Sequence, residues 1–566
     1  MTRIWVWAPN ADAVAVDLFD VDDRPAGRFE LQPEPDGHWG ADIEASVGMR
    51  YTLLLRHGTD ETHRIDPRAR EVTNSVGKSV ITELDFPWTD EAFEARPLNE
   101  WAIYELHPGT FGGTLGDAAE RLQHLADLGV TVIELMPVAE FAGDVSWGYN
   151  PAMPFAVESS YGGPAALRHF VNTAHGYGIA VVLDVVYNHL GPSDLDLWRF
   201  DGWSEGDGGG IYFFNDWRAE TPWGSTRPDY GRPEVCRYLI DNALMWIGEY
   251  HLDGLRVDST INIHTVHGHA GGGDLPEGWS FLQDLTSTVH AAHPGAVLIA
   301  EDLQNDPRVT QPVAEGGLGF DPQWSAAFVH TVRSALSAVA DEDRDVAAVA
   351  DAVDGGGPDA WRRVVYTESH DEVANGSTRV PSEIDPATPG SAAAIRRAAI
   401  GAVLMMMAPG VPMLFQGQEW ADEDWFDDTN PLRWERRDER PGIVRMWSDL
   451  IHLRVGEAGG LRGDAVSCAQ TGELGQVLII RRWGLGGEDA ATVGVVNLSA
   501  STVDGIRFDE GSSWHCAFSS DWSGYHASGS DAPLDLVDGT LTLPSYGAAI
   551  FVPVGQQPTP DVTPTR

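Results

Sequence analysis

Four short stretches place carboxylates where they can do chemistry. Gly254-Leu255-Arg256-Val257-Asp258 reads as a short buried strand, and residues two apart on a strand share a face, so Arg256 and Asp258 stand side by side. A neighbouring guanidinium favours the ionised carboxylate, and an ionised carboxylate can act as a nucleophile. The same pair, taken alone, reads first as a structural ion pair at a strand end. Three more apolar runs end in acids: Asp184-Val185-Val186-Tyr187-Asn188-His189, Ile299-Ala300-Glu301-Asp302, and Glu368-Ser369-His370-Asp371-Glu372. Histidines stand beside two of these acids, and a set of unrelated ion pairs would not repeat the position in this way.

The elements that must position them follow a strand, loop, helix grammar from Trp101 onward. Strands are expected at 102–106, 130–136, 179–186, around Arg256, and at 296–300, 319–324, 363–367 and 411–415. Helical spacing covers 115–128, 164–177 and 235–250. Eight strands with helices between them over about 350 residues imply an α/β fold, a parallel (β/α)8 TIM barrel, whose active residues come from the C-terminal strand ends. Residues 1–92 carry short alternating runs broken by Pro, Gly and Asp, as in an N-terminal β-sandwich. The barrel spans 93–447 with a long loop at 190–233, and from about residue 448 the pattern returns to β as a C-terminal β-sandwich to 555. The Pro- and Thr-rich tail, 556–566, reads as disordered.

Composition narrows the partners. The chain has 566 residues, 85 acids against 37 bases, and a formal charge of -48, which disfavours nucleic acid and anionic membranes and leaves neutral ligands open. Lys78 is the single lysine. Cys236, Cys468 and Cys516 fit no metal-ligand spacing, so a reducing compartment is expected. The sequence enters Ile4-Trp5-Val6-Trp7 with no basic region or apolar signal core, and no apolar run reaches membrane-spanning length. A soluble cytoplasmic protein is the expectation.

In order along the chain, Asp-x-x-x-x-Asn-His, Gly-x-Arg-x-Asp, a Glu closing the next apolar strand and a later His-Asp resemble the four signature segments of the α-amylase superfamily, glycoside hydrolase family thirteen. The match runs over roughly residues 100–420, and the N-terminal Trp7-Ala8-Pro9-Asn10-Ala11 resembles the β-sandwich that precedes the barrel in branching enzymes and trehalohydrolases. The resemblance implies a retaining double displacement with Asp258 as nucleophile, Glu301 as general acid/base and Asp371 as transition-state stabiliser. It also places Arg256, His189, His370 and Asp184 around the same sugar, with Tyr149 as the aromatic platform beneath it. Such chemistry needs two carboxyl groups about 5–5.5 Å apart, one of them bearing a proton. Glu301 follows the apolar run Val297-Leu298-Ile299-Ala300, and burial there would favour its protonated form.

Trp223, with Trp217, Tyr212 and Phe214, lies in the long third-strand loop, where rings can stack on further glucose units or pack the loop's own core. His264, His267 and His269 read as solvated loop histidines, with substrate contact as the alternative, and no metal or cofactor is expected. Asn188 matches a calcium ligand of many amylases, but relatives with similar N-terminal modules generally lack that ion. Met405-Met406-Met407 reads as core, and 422–428 as a solvated acidic rim loop. Ser369-His370-Asp371-Glu372-Val373 resembles 1,4-α-glucan branching enzymes. By contrast, Glu134-Leu135-Met136-Pro137-Val138, Thr221-Pro222-Trp223-Gly224 and Ala300-Glu301-Asp302 resemble maltooligosyltrehalose trehalohydrolase. Ser259-Thr260 departs from the small apolar pair usual in both, and Asp302 replaces the second glutamate that branching enzymes often carry, which leaves the acceptor open: water or a glucan hydroxyl. The leading expectation is branching on glycogen-like α-1,4-glucan or maltooligosaccharide, with trehalose-releasing or amylase-type hydrolysis as alternatives. A non-catalytic glucan-binding protein is the alternative from another class. Oligomeric state stays open.

Overall fold

The computed structural model describes residues 1–355, 360–456, 460–473, 475–484, 487–488, 491–508, 514–526, 529–530, 534, 536 and 540–554. The expected tail at 556–566 lies outside the described residues. By its internal contacts the chain divides into two units. One comprises Met1–Glu94, His107–Leu122 and Glu134–Asp321; the other comprises Ala95–Leu106, Gln123–Ile133 and Pro322–Arg566.

Eight strands form a closed barrel: β1 (Ile103–Leu106), β2 (Val132–Leu135), β3 (Ala180–Val185), β4 (Gly254–Val257), β5 (Val297–Ala300), β6 (Gln323–Trp324), β7 (Arg363–Tyr366) and β8 (Val411–Phe415). Neighbours follow chain order around the ring, as the TIM-type reading requires. Strands covered on both faces need continuous apolar runs, and every residue of β3 and of β8 is buried. Gly254 is required where β4 meets β5: a Cβ there would stand 2.2 Å from the Val297 carbonyl oxygen.

Register decides what meets what. Across β3, β4 and β5, Asp184 pairs with Arg256 and Arg256 with Ile299, while Val257 pairs with Ala300. Asp258 and Glu301 therefore leave adjacent strands at the same level. In the second unit Tyr366 pairs with Met413 and Phe415 with Glu105, which sets β7, β8 and β1 side by side.

Several boundaries differ from the sequence expectation. The 115–128 stretch is two helices, Leu115–Ala119 and Leu122–Leu128. Strand β6 keeps only Gln323–Trp324 of 319–324. Helix Pro441–Val455 carries through residue 448, so the β pattern resumes at Ala465. Before the barrel, antiparallel sheets of three and five strands occupy the N-terminal region, and after it a five-stranded and a two-stranded sheet follow. Helix Ala392–Met407 is capped by Ser391, and its Met405, Met406 and Met407 are fully buried core.

Candidate active site

Arg256 organises the first unit's polar cluster. Its guanidinium is wholly buried, with Nη1 at 2.5 Å from Asp184 Oδ2 and 3.0 Å from Asp258 Oδ1, and Nη2 at 3.0 Å from Glu301 Oε2. Burial alone would lower the Arg256 pKa. Asp184, then Glu301, Tyr149 and Asp258, outweigh burial and hold it well above its ordinary value. Both terminal nitrogens of one planar fork are thereby committed, which a lysine's single ammonium cannot reproduce.

Each carboxylate has a second anchor. Asn188 Nδ2 donates to Asp258 Oδ2 at 2.6 Å and to the Asp258 carbonyl at 3.0 Å. The Ser259 amide donates to Glu301 Oε2 at 2.7 Å, and Ser259 adopts a left-handed φ of 41° in doing so. Such a conformation is costly for a residue with a Cβ and persists where its surroundings enforce it. Tyr149 Oη donates to Asp184 Oδ2 at 2.5 Å, and Arg256 lies 5.9 Å from the Tyr149 ring centroid.

His189 sits on the same cluster. Its Nε2 faces the Tyr149 carbonyl at 2.8 Å, its Nδ1 faces Asn188 Oδ1 at 2.5 Å, and Trp223 stacks on the ring at 4.6 Å. Burial pushes the imidazole down to about 4, against the pull of the Tyr149 carbonyl. Trp223 keeps 44% of its surface exposed, so one face of its ring is covered by His189 while the rest of the ring stays open to solvent.

The second unit holds Asp371 and His370 just past β7. The His370 amide donates to Glu105 Oε2 at 3.1 Å, its Nδ1 contacts Glu105 Oε1, and its Nε2 stands 3.3 Å from Asp371 Oδ2. Glu105, at the end of β1, is buried and clamps the imidazole through both backbone and ring. The Asp371 side chain is 48% exposed.

Asp184, Arg256, Asp258, Glu301, Tyr149, His189 and Trp223 thus belong to one cluster in the first unit, and His370 and Asp371 to another in the second. Residue-level reasoning did not single out Glu105, although it carries the same signal as the others: a carboxylate closing a buried strand. The Asn188 amide is engaged by Asp258 and His189. Among the loop histidines His264 departs from expectation. It is buried, 3.1 Å from Asp302 Oδ2, because residues 261–264 form a helical turn rather than open loop. His267 and His269 are exposed, as expected, and Tyr212 and Phe214 are buried, Phe214 against Tyr230 of the same loop and Tyr212 against Trp7 and Tyr238 outside it. Asp302 is fully buried and also meets Thr260 Oγ1 at 3.4 Å, so its carboxylate holds the Thr260–His264 turn. Among the described residues no group of three or more His, Cys, Asp or Glu side chains is placed to hold a metal ion.

Comparison with known proteins gives the following. The family model described as alpha amylase, catalytic domain, matches residues 71–199. Malto-oligosyltrehalose trehalohydrolase of Saccharolobus solfataricus is 33% identical over 453 residues, covering 74% of this chain and 74% of the relative. A 1,4-alpha-glucan branching enzyme of Corynebacterium efficiens is 29% identical over 581 residues, covering 94% and 76%. Among solved structures, an Anoxybacillus pullulanase complexed with maltotetraose superposes with a TM-score of 0.76 at 19% identity, over 97% of this chain and 86% of that one.

Proposed function

The chain belongs to the α-amylase family, and on that premise we propose that it is a retaining, cytoplasmic enzyme of α-1,4-linked glucans whose leading activity is 1,4-α-glucan branching. In this reading Asp258 attacks the anomeric carbon and forms a glycosyl ester, while Glu301 gives its proton to the departing glycosidic oxygen. Glu301 then takes a proton from the incoming hydroxyl, which attacks the ester and frees Asp258. Asp371, His370 and His189 hold the sugar hydroxyls as the ring flattens, and Tyr149 lies beneath the ring. Glu105 positions His370, and Asp184 steadies Arg256.

One observation carries this proposal. Asp258 and Glu301 each take a nitrogen of the same guanidinium, so their carboxylates are separated by that fork's width and a hydrogen bond on either side. Holding both carboxylates on one guanidinium supports the close pair, about 5–5.5 Å apart, that a retaining mechanism requires. Asp371 follows β7 as Asp258 follows β4 and Glu301 follows β5, so all three leave the barrel by its C-terminal end. An α-glucan substrate is supported by the kind of ligand seen in the pullulanase relative, maltotetraose.

Branching leads because a named branching enzyme aligns with nearly the whole chain and the Ser369–Val373 segment has the branching pattern. Trehalose-releasing hydrolysis is the second reading, favoured by the trehalohydrolase relative. Incubation with amylose, following iodine absorbance and the appearance of 1,6 linkages by NMR, tests the first. Free trehalose from maltooligosyltrehalose would replace it with the second. Release of reducing maltooligosaccharides alone would reject both in favour of amylase-type hydrolysis.

A further inference from the structure

Two donors meet one and the same oxygen of Glu301. The Ser259 amide stands 2.7 Å from Oε2, and Arg256 Nη2 stands 3.0 Å from it. An oxygen that accepts from two N–H groups is not the one that bears a carboxyl proton, so the proton belongs on Oε1. A carboxyl group turns about its last bond unless its oxygens are held. As a general acid it works only when the protonated oxygen faces the departing one.

The left-handed φ of 41° at Ser259 persists only where the surroundings enforce it, and a short buried turn supplies that enforcement. Asn262 Nδ2 donates to Ser259 Oγ at 2.7 Å, and the Asn262 backbone amide donates to the Ser259 carbonyl at 2.9 Å. Asn262 is buried, and Gly268 makes room for it: a Cβ there would stand 2.7 Å from Asn262 Oδ1. Thr260 donates through its amide and its hydroxyl to the Glu301 carbonyl, each at 3.0 Å. At the far end of the turn His264 Nε2 lies 3.1 Å from Asp302 Oδ2. The turn is thus tied at both ends to the strand end that carries Glu301, and Asn262 has no step of its own in the double displacement.

We propose that Asn262 and Ser259 are positioning residues for Glu301, forming a latch that holds Oε2 between the Ser259 amide and Arg256 and so turns the protonated Oε1 to the departing glycosidic oxygen. The proposal rests on Glu301 as the general acid and deepens that reading. Asn262 acts through Ser259 and does not touch the sugar.

The test compares two glycosyl donors on the full chain. Maltoheptaose loses its glycosidic oxygen with a proton from Glu301. In α-maltosyl fluoride the C–F bond breaks as Asp258 attacks, and fluoride leaves with the bonding pair and needs no proton. The ratio of kcat/KM for maltoheptaose to kcat/KM for the fluoride therefore reads proton delivery, and it does not depend on the fraction of chain that folds. Glu301→Gln should lower this ratio at least about a hundredfold. Asn262→Ala and the smaller change Ser259→Ala should each lower it about tenfold, and the double variant no further than either alone, because both break one bond. A merely structural loss would lower both kcat/KM values together and leave their ratio alone. Ratios within twofold of the parent in both single variants, with Glu301→Gln behaving as stated, would overturn the latch alone. A parental ratio in Glu301→Gln would overturn the acid assignment and the latch with it, and no turnover of either donor by the parent would overturn the α-glucan reading as a whole.

Discussion

Replacing Arg256 by leucine removes a cation that three buried carboxylates share. Asp184, Asp258 and Glu301 approach its guanidinium at 2.5, 3.0 and 3.0 Å, and the guanidinium is wholly buried. Stripping one partner from a buried ion cluster costs about 3–5 kcal/mol, because the carboxylates left behind lose their counter-charge. For domains of this size about 2–4 °C of melting temperature accompanies each kcal/mol, so Arg256→Leu should lower the midpoint by roughly 6–20 °C. Arg256→Lys should fall between, since an ammonium keeps the charge but cannot serve two directions with a planar fork. Adding Asp184→Asn to Arg256→Leu should recover part of the loss, because it removes one of the stranded charges. Thermal unfolding by circular dichroism at neutral pH reads all of these. An unchanged midpoint in Arg256→Leu, or no recovery in the double variant, would refute the reasoning that Arg256 is the shared counter-charge.

Three further outcomes follow from particular side chains. Asp258→Asn should lose several orders of magnitude in turnover while the chain still folds, since Asp184 and Glu301 still face Arg256; near-normal turnover would reject Asp258 as nucleophile. His189, pushed down to about 4, stays neutral in the folded chain while the unfolded chain takes up its proton near 6.5. Stability should therefore drop as pH falls from 6.5 to about 4, by about 3 kcal/mol, and urea titrations at several pH values should show that slope shrink in His189→Gln. Glu140 behaves in the opposite sense: burial, with Glu158 beside it, raises its carboxyl to about 8, so the folded chain keeps a proton that the unfolded chain sheds near 4.5. Stability is lost as pH rises from 4.5 to 8, and Glu140→Gln should be stabilising at pH 8 by up to about 4 kcal/mol, with unchanged stability there as the contrary result.

The sequence by itself carried the barrel and its acids a long way. Period-two and continuous apolar runs located all eight strands, and acids closing those runs picked out Asp184, Asp258, Glu301 and Asp371, because strand ends are set by local pattern. The same logic reached Glu105 in principle, but a single buried carboxylate carries no signal of its partner until β1 stands beside β8 and its oxygens meet His370. His264 shows the limit from the other side. A Gly-rich stretch suggested open loop, yet the Asp302 carboxylate, supplied from a different strand end, folds residues 261–264 into a buried turn. What only tertiary structure decided is the sharing of Arg256. The Arg-x-Asp spacing predicts one ion pair, whereas the in-register neighbours Asp184 on β3 and Glu301 past β5 make it a three-way counter-charge. Spacing along one strand is written in the chain; contacts between strands depend on register, and register is set by how the whole barrel closes.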